Sequence, residues 1–357
     1  MRRFAIGIAL LLALLLGVTI LFRIPLTLRL MERSVTSNLG HSWLDDLPDG
    51  LHLVLCGAGS PLPDPRRSGP CVAIAAGDRL VLVDVGSGAS RGLGELDIDP
   101  GRIDAVLLTH FHSDHIDGLG ELLLQRWVNR GAAEPVPIHG PTGVEEVVEG
   151  IRLAYRLDRG YRVAHHGEDV VPEKGAGGVA VSFDPPAPGR GHRVLEEAGL
   201  RVTAFRVDHA PVHPAVGYRF EYRGRSIVVS GDTVKSANLQ HFAAGVDLLV
   251  HEALAPHLVE VLTRSAVRAE RPRIATITRD ILGYHTSPVE AAEVARDAGV
   301  GFLLFYHIVP PLPLAPLEEA FVEGVDDIYA GPVAVGRDGT SVHLPAGSSV
   351  IRVEERR

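Results

Sequence analysis

One short segment places the strongest constraint on the fold of this chain. It consists of an apolar run followed directly by several potential metal ligands. Residues 103–109 form an apolar run rich in β-branched residues and leucine, which predicts a buried strand. Four potential metal ligands follow within six residues, at His110, His112, Asp114 and His115. In an extended loop, residues two apart point the same way, so His110 and His112 can bind one ion while the other two face a second. The sequence therefore predicts a metal centre at the end of a buried strand.

Short apolar segments that end in polar residues recur along the chain. The patterns predict strands at 51–55, 71–75, 80–85, 136–139, 201–207, 215–222, 226–230, 248–250 and 301–306, and helices at 118–128, 144–155 and 288–298. The stretch 156–199 is rich in Gly, Pro and His, and we expect it to be irregular, as a lid or insertion over the site. At 357 residues the chain fits one large α/β layered domain, with two average domains as the alternative.

The first residues differ in composition from the rest of the chain. Phe4 to Phe22 is an uncharged, mostly apolar run that follows Arg2 and Arg3. At about 1.5 Å per residue this run would span roughly 28 Å, close to the thickness of a bilayer core. No small-x-small cleavage site follows it, which favours an uncleaved anchor over a cleaved signal peptide. We therefore expect a membrane-anchored protein whose catalytic domain is periplasmic or extracellular.

These features predict four parts of the chain and an acidic body. The parts are a transmembrane or signal-anchor segment at 1–33, a linker at 34–50, a catalytic domain at 51–345 and a C-terminal tail at 346–357. The formal net charge is −9 at pH 7, although the anchor segment itself carries five Arg and one Glu. Because an acidic body is a poor partner for nucleic acid, we do not expect nucleic acid as a partner.

The chain has two cysteines, Cys56 and Cys71, which flank the turn between the first two predicted strands. Two buried, reduced thiols fit this placement, and an exported body would also permit a disulfide bond. The sequence does not decide between them, because a disulfide requires a pairing geometry that spacing alone does not establish.

The His-x-His-x-Asp-His segment after a strand closely resembles the hallmark of the metallo-β-lactamase superfamily. Further positions of that family follow in the same order along residues 51–310, namely Asp84 in Leu82-Val83-Asp84-Val85-Gly86, His209 in Val207-Asp208-His209-Ala210-Pro211, Asp232 in Ser230-Gly231-Asp232-Thr233, and His307 after Leu304-Phe305-Tyr306. The resemblance implies an α/β fold, a four-layer αβ/βα sandwich of two mixed β-sheets flanked by helices. It places the metal site along one edge between the sheets.

The resemblance also implies a dinuclear metal site. Its ligands would be His110, His112 and His209 for the first zinc ion, Asp114, His115 and His307 for the second, and Asp232 as the bridge. His213 is the rival for the third ligand of the first ion, and the match around Gly217-Tyr218-Arg219-Phe220 favours His209. Asp84 is expected to orient the histidine loop, with a strand-end cap as the alternative. We expect two Zn²⁺ ions, with Mn²⁺ or Fe²⁺ as alternatives because these ligand types accept all three.

Two more segments narrow the branch of the superfamily. His251-Glu252-Ala253 and His285-Thr286-Ser287-Pro288 resemble the ribonuclease Z-like branch, which includes zinc phosphodiesterases and zinc-dependent alkyl or aryl sulfatases. The resemblance places His285 over the labile bond, where it can stabilise charge or protonate the leaving oxygen, and gives Glu252 the task of orienting it. Asp114, His285 and Glu252 are therefore the candidate catalytic residues, with a plain structural role as the alternative for Glu252. Thr286 or Ser287 is a better helix cap than His285, so capping does not account for this histidine.

We expect a dinuclear zinc hydrolase that cleaves small phosphodiesters or aryl sulfate esters with a metal-activated hydroxide. The bridging aspartate argues against a true β-lactamase, because that branch of the superfamily lacks it. A ribonuclease Z-type tRNA 3′-endonuclease is an alternative, and it would need a basic surface or a protruding RNA-binding arm. A lactonase or thioesterase and a non-catalytic zinc-binding protein are further alternatives. The family resemblance also suggests a homodimer.

Overall fold

Two mixed β-sheets lie at the centre of the molecule. In the computed structural model, which describes residues 2–356, the first sheet has eight strands, in spatial order β15 (Arg352–Glu355), β14 (Thr340–Pro345), β1 (Gly50–Gly57), β2 (Cys71–Ala76), β3 (Arg79–Val83), β4 (Ala105–Leu107), β5 (Val136–Pro141) and β6 (Gly178–Phe183). Over the same residues the second sheet has seven, in the order β13 (Val333–Val335), β12 (Leu303–Val309), β11 (Leu248–Leu254), β10 (Arg225–Val229), β9 (Val216–Tyr222), β8 (Leu200–Arg206) and β7 (His192–Glu197).

Helices cover the outer face of each sheet. The described helices are α1 (Arg2–Asn38), α2 (Ala89–Glu95), α3 (Ser113–Ile116), α4 (Leu119–Arg130), α5 (Val144–Ala154), α6 (Arg156–His166), α7 (Ala237–Phe242), α8 (Pro256–Arg268), α9 (Pro272–Asp280), α10 (Pro288–Ala298) and α11 (Pro316–Phe321). Apolar residues of α2, α4 and α5 pack on the first sheet, and those of α7, α10 and α11 pack on the second. The predicted four-layer αβ/βα sandwich is therefore confirmed.

The central strands are apolar on both faces because each face is covered. In β1, Leu51, Leu53 and Leu55 belong to the core between the sheets, whereas Val54 and Cys56 belong to the core beneath the helices. Successive side chains of a strand point to opposite faces, so a strand buried on both sides has no polar alternation. This is why mostly apolar runs were sufficient to predict β1, β2, β3 and β12.

The N-terminal helix requires a correction. The prediction placed a membrane anchor at 1–33, but the side chains of residues 1–3, 5, 9–16 and 18 within it lie outside the described part of the structure. Among the described residues, no helix is both long enough and apolar enough to cross a membrane. The prediction of a membrane-anchored protein with a periplasmic or extracellular catalytic domain is therefore wrong for the chain as the structure describes it.

The folded body extends beyond the predicted catalytic domain at both ends. Trp43, in the predicted linker, is fully buried in the core beneath the helices, and its backbone N–H donates to the carbonyl of Asp97 at 2.8 Å. At the other end, β15 pairs antiparallel with β14, with Val353 opposite Val342. All four residues of β15 are exposed, so this edge strand lacks the apolar pattern that would have revealed it.

The segment 156–199 is more regular than predicted. It contains α6 and the two edge strands β6 and β7, which end the first and second sheets respectively. α6 buries none of its residues, and β7 likewise has no buried residue. Elements that cover so little apolar surface carry a weak hydrophobic pattern, which is why composition suggested a loop.

The two cysteines are paired. Cys56 at the end of β1 and Cys71 at the start of β2 form a disulfide bond with a Cα–Cα distance of 5.0 Å, and both residues are fully buried. The sequence left open whether the two cysteines are reduced thiols or a disulfide, and the structure shows the disulfide.

Candidate metal centre

The candidate metal centre lies where parallel strands of both sheets end. β3, β4 and β5 run parallel to one another, as do β10, β11 and β12. The carboxyl ends of parallel strands meet at one edge of a sheet, which is where α/β proteins place their sites. Asp84 follows β3, His110 follows β4, Asp232 follows β10, and His307 lies in β12. The fold therefore brings together side chains that are far apart in sequence.

Two residues of the site have left-handed backbone conformations. Asp84 has a φ of 56° and His307 a φ of 45°. His307 lies where the pairing of β11 with β12 shifts register, between Glu252 and Ala253. A left-handed conformation costs a non-glycine residue on the order of 1–3 kcal/mol, and it persists where the surroundings hold it. Such positions are concentrated at functional sites, which agrees with where these two residues lie.

Asp84 holds the histidine loop in place. Its carboxylate is fully buried and accepts hydrogen bonds from the backbone N–H of Thr109, from Thr109 Oγ1 and from Nδ1 of His115, each at 2.8 Å. Thr109 Oγ1 in turn lies 3.1 Å from Nδ1 of His110. These bonds fix the orientation of both imidazole rings, so that the Nε2 atoms of His110 and His115 face the site. Asp84 therefore has the contacts expected of a residue that supports ligands and does not bind the metal itself.

One group of potential ligands comprises His110, His112, His209 and Asp232, whose donor atoms all lie within 4.8 Å of one another. Nδ1 of His112 lies 3.0 Å from Nε2 of His110 and 3.4 Å from Nε2 of His209. Nδ1 of His209 donates to the carbonyl of Tyr284 at 2.9 Å, which leaves Nε2 free to face the group. The three histidines therefore present one nitrogen each to a common point.

A second group comprises Asp114, His115 and His307, also within 4.8 Å of one another. Oδ2 of Asp114 lies 3.2 Å from Nε2 of His307 and 3.5 Å from Nε2 of His115. Oδ2 of Asp232 lies 3.5 Å from Nε2 of His115 and 3.4 Å from Nε2 of His307. The same oxygen lies 3.8 Å from Nε2 of both His110 and His209 in the first group. Asp232 thus stands between the two groups.

The donor set fits two divalent metal ions. Two atoms that bind one tetrahedral zinc ion at about 2.1 Å lie about 3.4 Å apart. The distances from Asp232 to the histidines match this spacing and exceed that of an ordinary hydrogen bond. Nε2 of His115 and Oδ1 of Asp232 are buried and have no hydrogen-bond partner among the described residues. Buried polar atoms require partners, and metal ions at these two points would supply them.

The protonation states of most of these residues also suit metal binding. His115 is the exception, because burial alone would lower its pKa but the carboxylates of Asp232 and Asp84 raise that pKa well above its usual range. Burial, together with the neighbouring His115, holds the pKa of His110 well below its usual range, and burial lowers the pKa of His112 and His209. Burial alone would raise the pKa of Asp232, but the surrounding histidines, His307 foremost, hold that pKa well below its usual range. A neutral imidazole and an ionised carboxylate are the forms that bind a metal.

His285 and Glu252 form a buried pair beside these groups. The His285 ring centroid lies 5.3 Å from that of His209 and 5.5 Å from that of His307, so it neighbours both groups. Its Nδ1 donates to Oε1 of Glu252 at 3.2 Å. Glu252 is fully buried, and the same oxygen accepts from the backbone N–H groups of Thr233 at 3.2 Å and Thr286 at 3.1 Å. Burial alone would lower the pKa of His285, but the charge and hydrogen bond of Glu252 raise it to about 9.

The structure also separates the site residues from other histidines. His209 is buried in the first group, whereas its rival His213 is exposed and lines a cleft of about 790 Å³ with Arg206 and Asp208. His251 is fully buried, with Nδ1 donating to the carbonyl of Glu252 at 2.6 Å, and it belongs to neither group.

Two features of the site surroundings were not predicted. Tyr284 provides the carbonyl that orients His209, and its ring stands edge-on to that of His209 at 4.9 Å. The helices α8 and α9, which lie between Glu252 and Tyr284 in sequence, were also missed. Pro256 and Pro272, each at the first position of its helix, are the sequence signals that could have revealed them.

The comparisons with known proteins identify the family. The model of the metallo-beta-lactamase superfamily matches residues 64–278. The ribonuclease Z of Mycolicibacterium gilvum (strain PYR-GCK) is 39% identical over 269 residues, which cover 73% of this chain and 85% of that protein. The ribonuclease Z of Mycolicibacterium paratuberculosis (strain ATCC BAA-968 / K-10) is 37% identical over 300 residues, which cover 84% of this chain and 100% of that protein.

Solved structures share the fold. The metallo-beta-lactamase fold protein YhfI from Bacillus subtilis has a TM-score of 0.60 at 19% identity, covering 83% of this chain and 100% of that one. The short form of human tRNase Z has a TM-score of 0.56 at 21% identity, covering 82% and 99%. The chain therefore belongs to the metallo-β-lactamase superfamily, in its ribonuclease Z-like branch.

Proposed function

We propose that this protein is a metal-dependent phosphodiesterase that hydrolyses RNA, as the relatives named ribonuclease Z suggest. The observation that carries the proposal is the arrangement of two ligand groups around one oxygen of Asp232, with the imidazole of His285 alongside. The sequence had ranked small phosphodiesters and aryl sulfates ahead of RNA. The relatives reverse that order, because none of those reported above is named a sulfatase and both sequence relatives are named ribonuclease Z.

The residues that would hold the metal ions divide between the two groups. His110, His112 and His209 would bind one ion, Asp114, His115 and His307 the other, and Asp232 both. Zinc suits nitrogen and carboxylate donors in this arrangement, with manganese and iron(II) as alternatives. When bound, two such ions would lower the pKa of a water molecule to near neutrality, and they would offset the negative charge of the phosphodiester.

The remaining steps fall to side chains of this chain. Asp84 fixes the rings of His110 and His115, so the ligand nitrogens are already oriented before an ion binds. His285 can donate the proton of its Nε2 to the leaving oxygen, because Nδ1 is committed to Glu252. Glu252 is a positioning residue, since its buried Oε1 holds His285 while also bonding the backbone of Thr233 and Thr286.

Hydrolysis of a small phosphodiester is the second candidate. The net charge of −9 favours it, because an acidic protein repels a polyanionic substrate. The chemistry at the metal centre would be the same, so the two candidates differ only in what the surrounding surface binds.

The test uses the full chain with its metal content measured. It is assayed on a precursor tRNA with a 3′ extension, on bis-p-nitrophenyl phosphate, and on p-nitrophenyl sulfate and p-nitrophenyl acetate. About two metal ions per chain and specific cleavage of the RNA are expected. Cleavage of the chromogenic diester alone would overturn RNA as the substrate and leave the phosphodiesterase. Cleavage of the sulfate or acetate alone would overturn the phosphodiesterase, and absence of bound metal would overturn the proposal entirely.

A variant pair separates the site from a contaminating nuclease. His209→Ala should lower the bound metal from about two ions to about one and abolish RNA cleavage, since it removes a ligand of the first group only. His165→Ala, at an exposed histidine on α6, is the matched control and should retain both. RNA cleavage that survives His209→Ala would show that another protein is responsible.

A further inference from the structure

The disulfide bond between Cys56 and Cys71 lies where two neighbouring strands meet a loop next to the candidate metal centre. The pairing of β1 with β2 shifts register at this point, between Leu55 and Gly57, so Cys56 is an extra residue in the ladder. An extra residue bends a strand and disrupts the ladder locally, which leaves the direction of the chain beyond it less determined by pairing alone. The covalent link therefore fixes both ends of the loop 57–70 that it closes.

The two ends of this loop also contact each other directly. The backbone N–H of Gly59 donates to the carbonyl of Ser68 at 2.7 Å. A Cβ atom at Gly57 would overlap the carbonyl oxygen of Gly69, so only glycine allows the two chain segments to come this close. Together with the bridge, these residues form the bridged loop ends, which comprise residues 56–59 and 68–71.

The first bridged loop end contacts the backbone at His307. The carbonyl of Ala58 accepts a hydrogen bond from the backbone N–H of Ile308 at 3.0 Å. This N–H belongs to the peptide group that joins His307 to Ile308, so the bond helps to fix the backbone of His307 itself. His307 has a φ of 45°, and a left-handed conformation of this kind persists only where the surroundings hold it. Ala58 is part of those surroundings.

The second bridged loop end supports the backbone of Asp114 and His115. The carbonyl of Pro70 accepts a hydrogen bond from the backbone N–H of Gly86 at 2.9 Å. A Cβ atom at Gly86 would overlap the carbonyl oxygen of Asp114, so these two residues are in close contact. The N–H of Val85, one residue earlier, donates to the carbonyl of His115 at 2.8 Å. The chain from Pro70 therefore reaches both remaining ligands of the second group through Val85 and Gly86.

The ligands of the first group are held by other elements. Nδ1 of His209 donates to the carbonyl of Tyr284 at 2.9 Å. The carbonyl of Thr109, the residue before His110, accepts from the N–H of Val216 at the start of β9, at 3.0 Å. Among the described residues, no hydrogen bond joins the bridged loop ends to the three histidines of the first group. The support that the bridge provides is therefore directed at the second group.

We infer that the bridge between Cys56 and Cys71 is a positioning element for the second ligand group, and that it determines how tightly Asp114, His115 and His307 bind their ion. The inference rests on the proposed function in that it takes the site to bind metal. A metal ion tolerates only small errors in the distances of its donor atoms, and residues that orient its ligands contribute substantially to affinity. Without the bridge, the loop ends would separate more readily at the extra residue, and the backbone beside all three ligands would lose a fixed support.

A bridge that only stabilises the fold is the alternative. Such a bridge acts by restricting the unfolded chain, so its loss would affect the two ion sites equally or not at all. The contacts described above predict unequal effects, because they reach one ligand group and not the other. Measuring the two sites separately therefore distinguishes positioning from general stabilisation.

The test removes the bridge from full-length chains that each retain one complete group of ligands. Cys56→Ala and Cys71→Ala are combined with His209→Ala, which keeps the second group, or with His307→Ala, which keeps the first. Competition with a chromophoric chelator measures the Kd for zinc. In the His209→Ala background, loss of the bridge should raise this Kd about 10- to 100-fold. In the His307→Ala background the Kd should change by no more than about twofold, as expected for sites that do not share contacts.

Leu344→Ala, with the bridge intact, is the matched control for lost stability. Leu344 is fully buried in the core between the sheets and lies opposite Leu51, at the other end of β1 from Cys56. Truncating a buried leucine and removing such a bridge destabilise a protein to a similar extent. In the His209→Ala background, Leu344→Ala should leave the Kd for zinc unchanged.

Three outcomes would overturn the positioning role while leaving the proposed function intact. They are an unchanged Kd after loss of the bridge, an equal rise in both backgrounds, and an equal rise in the Leu344→Ala control. A large rise confined to the background that keeps the second group would support the role. Wild-type protein that binds no metal would overturn the proposed function itself, and the inference with it.

Discussion

Asp84→Asn isolates the contribution of the carboxylate that holds the histidine loop. One oxygen of Asp84 accepts from the backbone N–H of Thr109, and the other accepts from both Thr109 Oγ1 and His115 Nδ1. Asparagine has nearly the same shape but replaces one of these oxygens with an NH₂ group. Depending on which way the amide turns, one or two buried donors then lose their acceptor, at about 1–3 kcal/mol each. We expect the free energy of unfolding to fall by about 1–6 kcal/mol.

The same substitution should weaken metal binding. Residues that orient metal-binding histidines typically contribute 10- to 100-fold in affinity, so we expect a zinc Kd higher by about that factor. Competition with a chromophoric chelator measures the Kd, and urea unfolding of the metal-free protein measures stability. Asp169→Asn, at an exposed aspartate after α6, is the matched control and should change neither. An Asp84→Asn protein with wild-type zinc affinity would refute the view that this carboxylate orients the ligands.

Three further substitutions test other parts of the structure. Asp232→Ala should reduce the bound metal, as measured by metal analysis, from about two ions to one or fewer, and it should abolish hydrolysis. The reason is that Oδ2 of Asp232 faces both ligand groups. Two retained ions would exclude a bridging role. His285→Gln should keep both ions but lower kcat about 10²- to 10⁴-fold, the usual contribution of a general acid, and unchanged turnover would return this residue to a structural role. The Cys56→Ser and Cys71→Ser double variant should lose about 3 kcal/mol in urea unfolding, given that the bridge closes a loop of about 15 residues, and equal stability would show that the bridge does not stabilise the protein.

The sequence predicted the interior of the molecule better than its periphery. Strands such as β1 and β12 are covered on both faces, so burial requires a mostly apolar run that is easy to recognise. The helix α10 was predicted within its observed bounds, because Ser287 and Glu290 form a capping box at its start and Gly299 ends it. Each of these signals reflects a local physical requirement that the sequence must meet.

The candidate site could be predicted from the same logic only in part. His110 to His115 form one continuous segment, so their grouping follows from the sequence. Tyr284 contributes its backbone carbonyl, which any residue could provide, and Thr109 contributes a hydroxyl group, which a common residue type provides. No sequence motif reveals either contribution.

The helices α8 and α9 were missed although their sequences carry signals of a helix. Pro256 and Pro272 each stand at the first position of a helix, which is a favoured place for proline. In α8, apolar residues recur at helical spacing, as Val259, Leu262 and Ala266 do. Because the net charge was summed over the whole acidic chain, the arginines between Arg264 and Arg279 also passed unnoticed.

The ligand groups are drawn from both halves of the sandwich, and this affects how the protein would respond to metal supply. His110, His112, Asp114 and His115 follow the first sheet, whereas His209, Asp232 and His307 belong to the second. An ion bound by residues from both halves would link the two sheets. Metal binding and the packing of the sheets against each other would then be one coupled equilibrium. At a free metal concentration 100 times the Kd, such linkage stabilises the folded state by about 2.7 kcal/mol. Scarcity of metal would then lower the abundance of the folded protein as well as its activity.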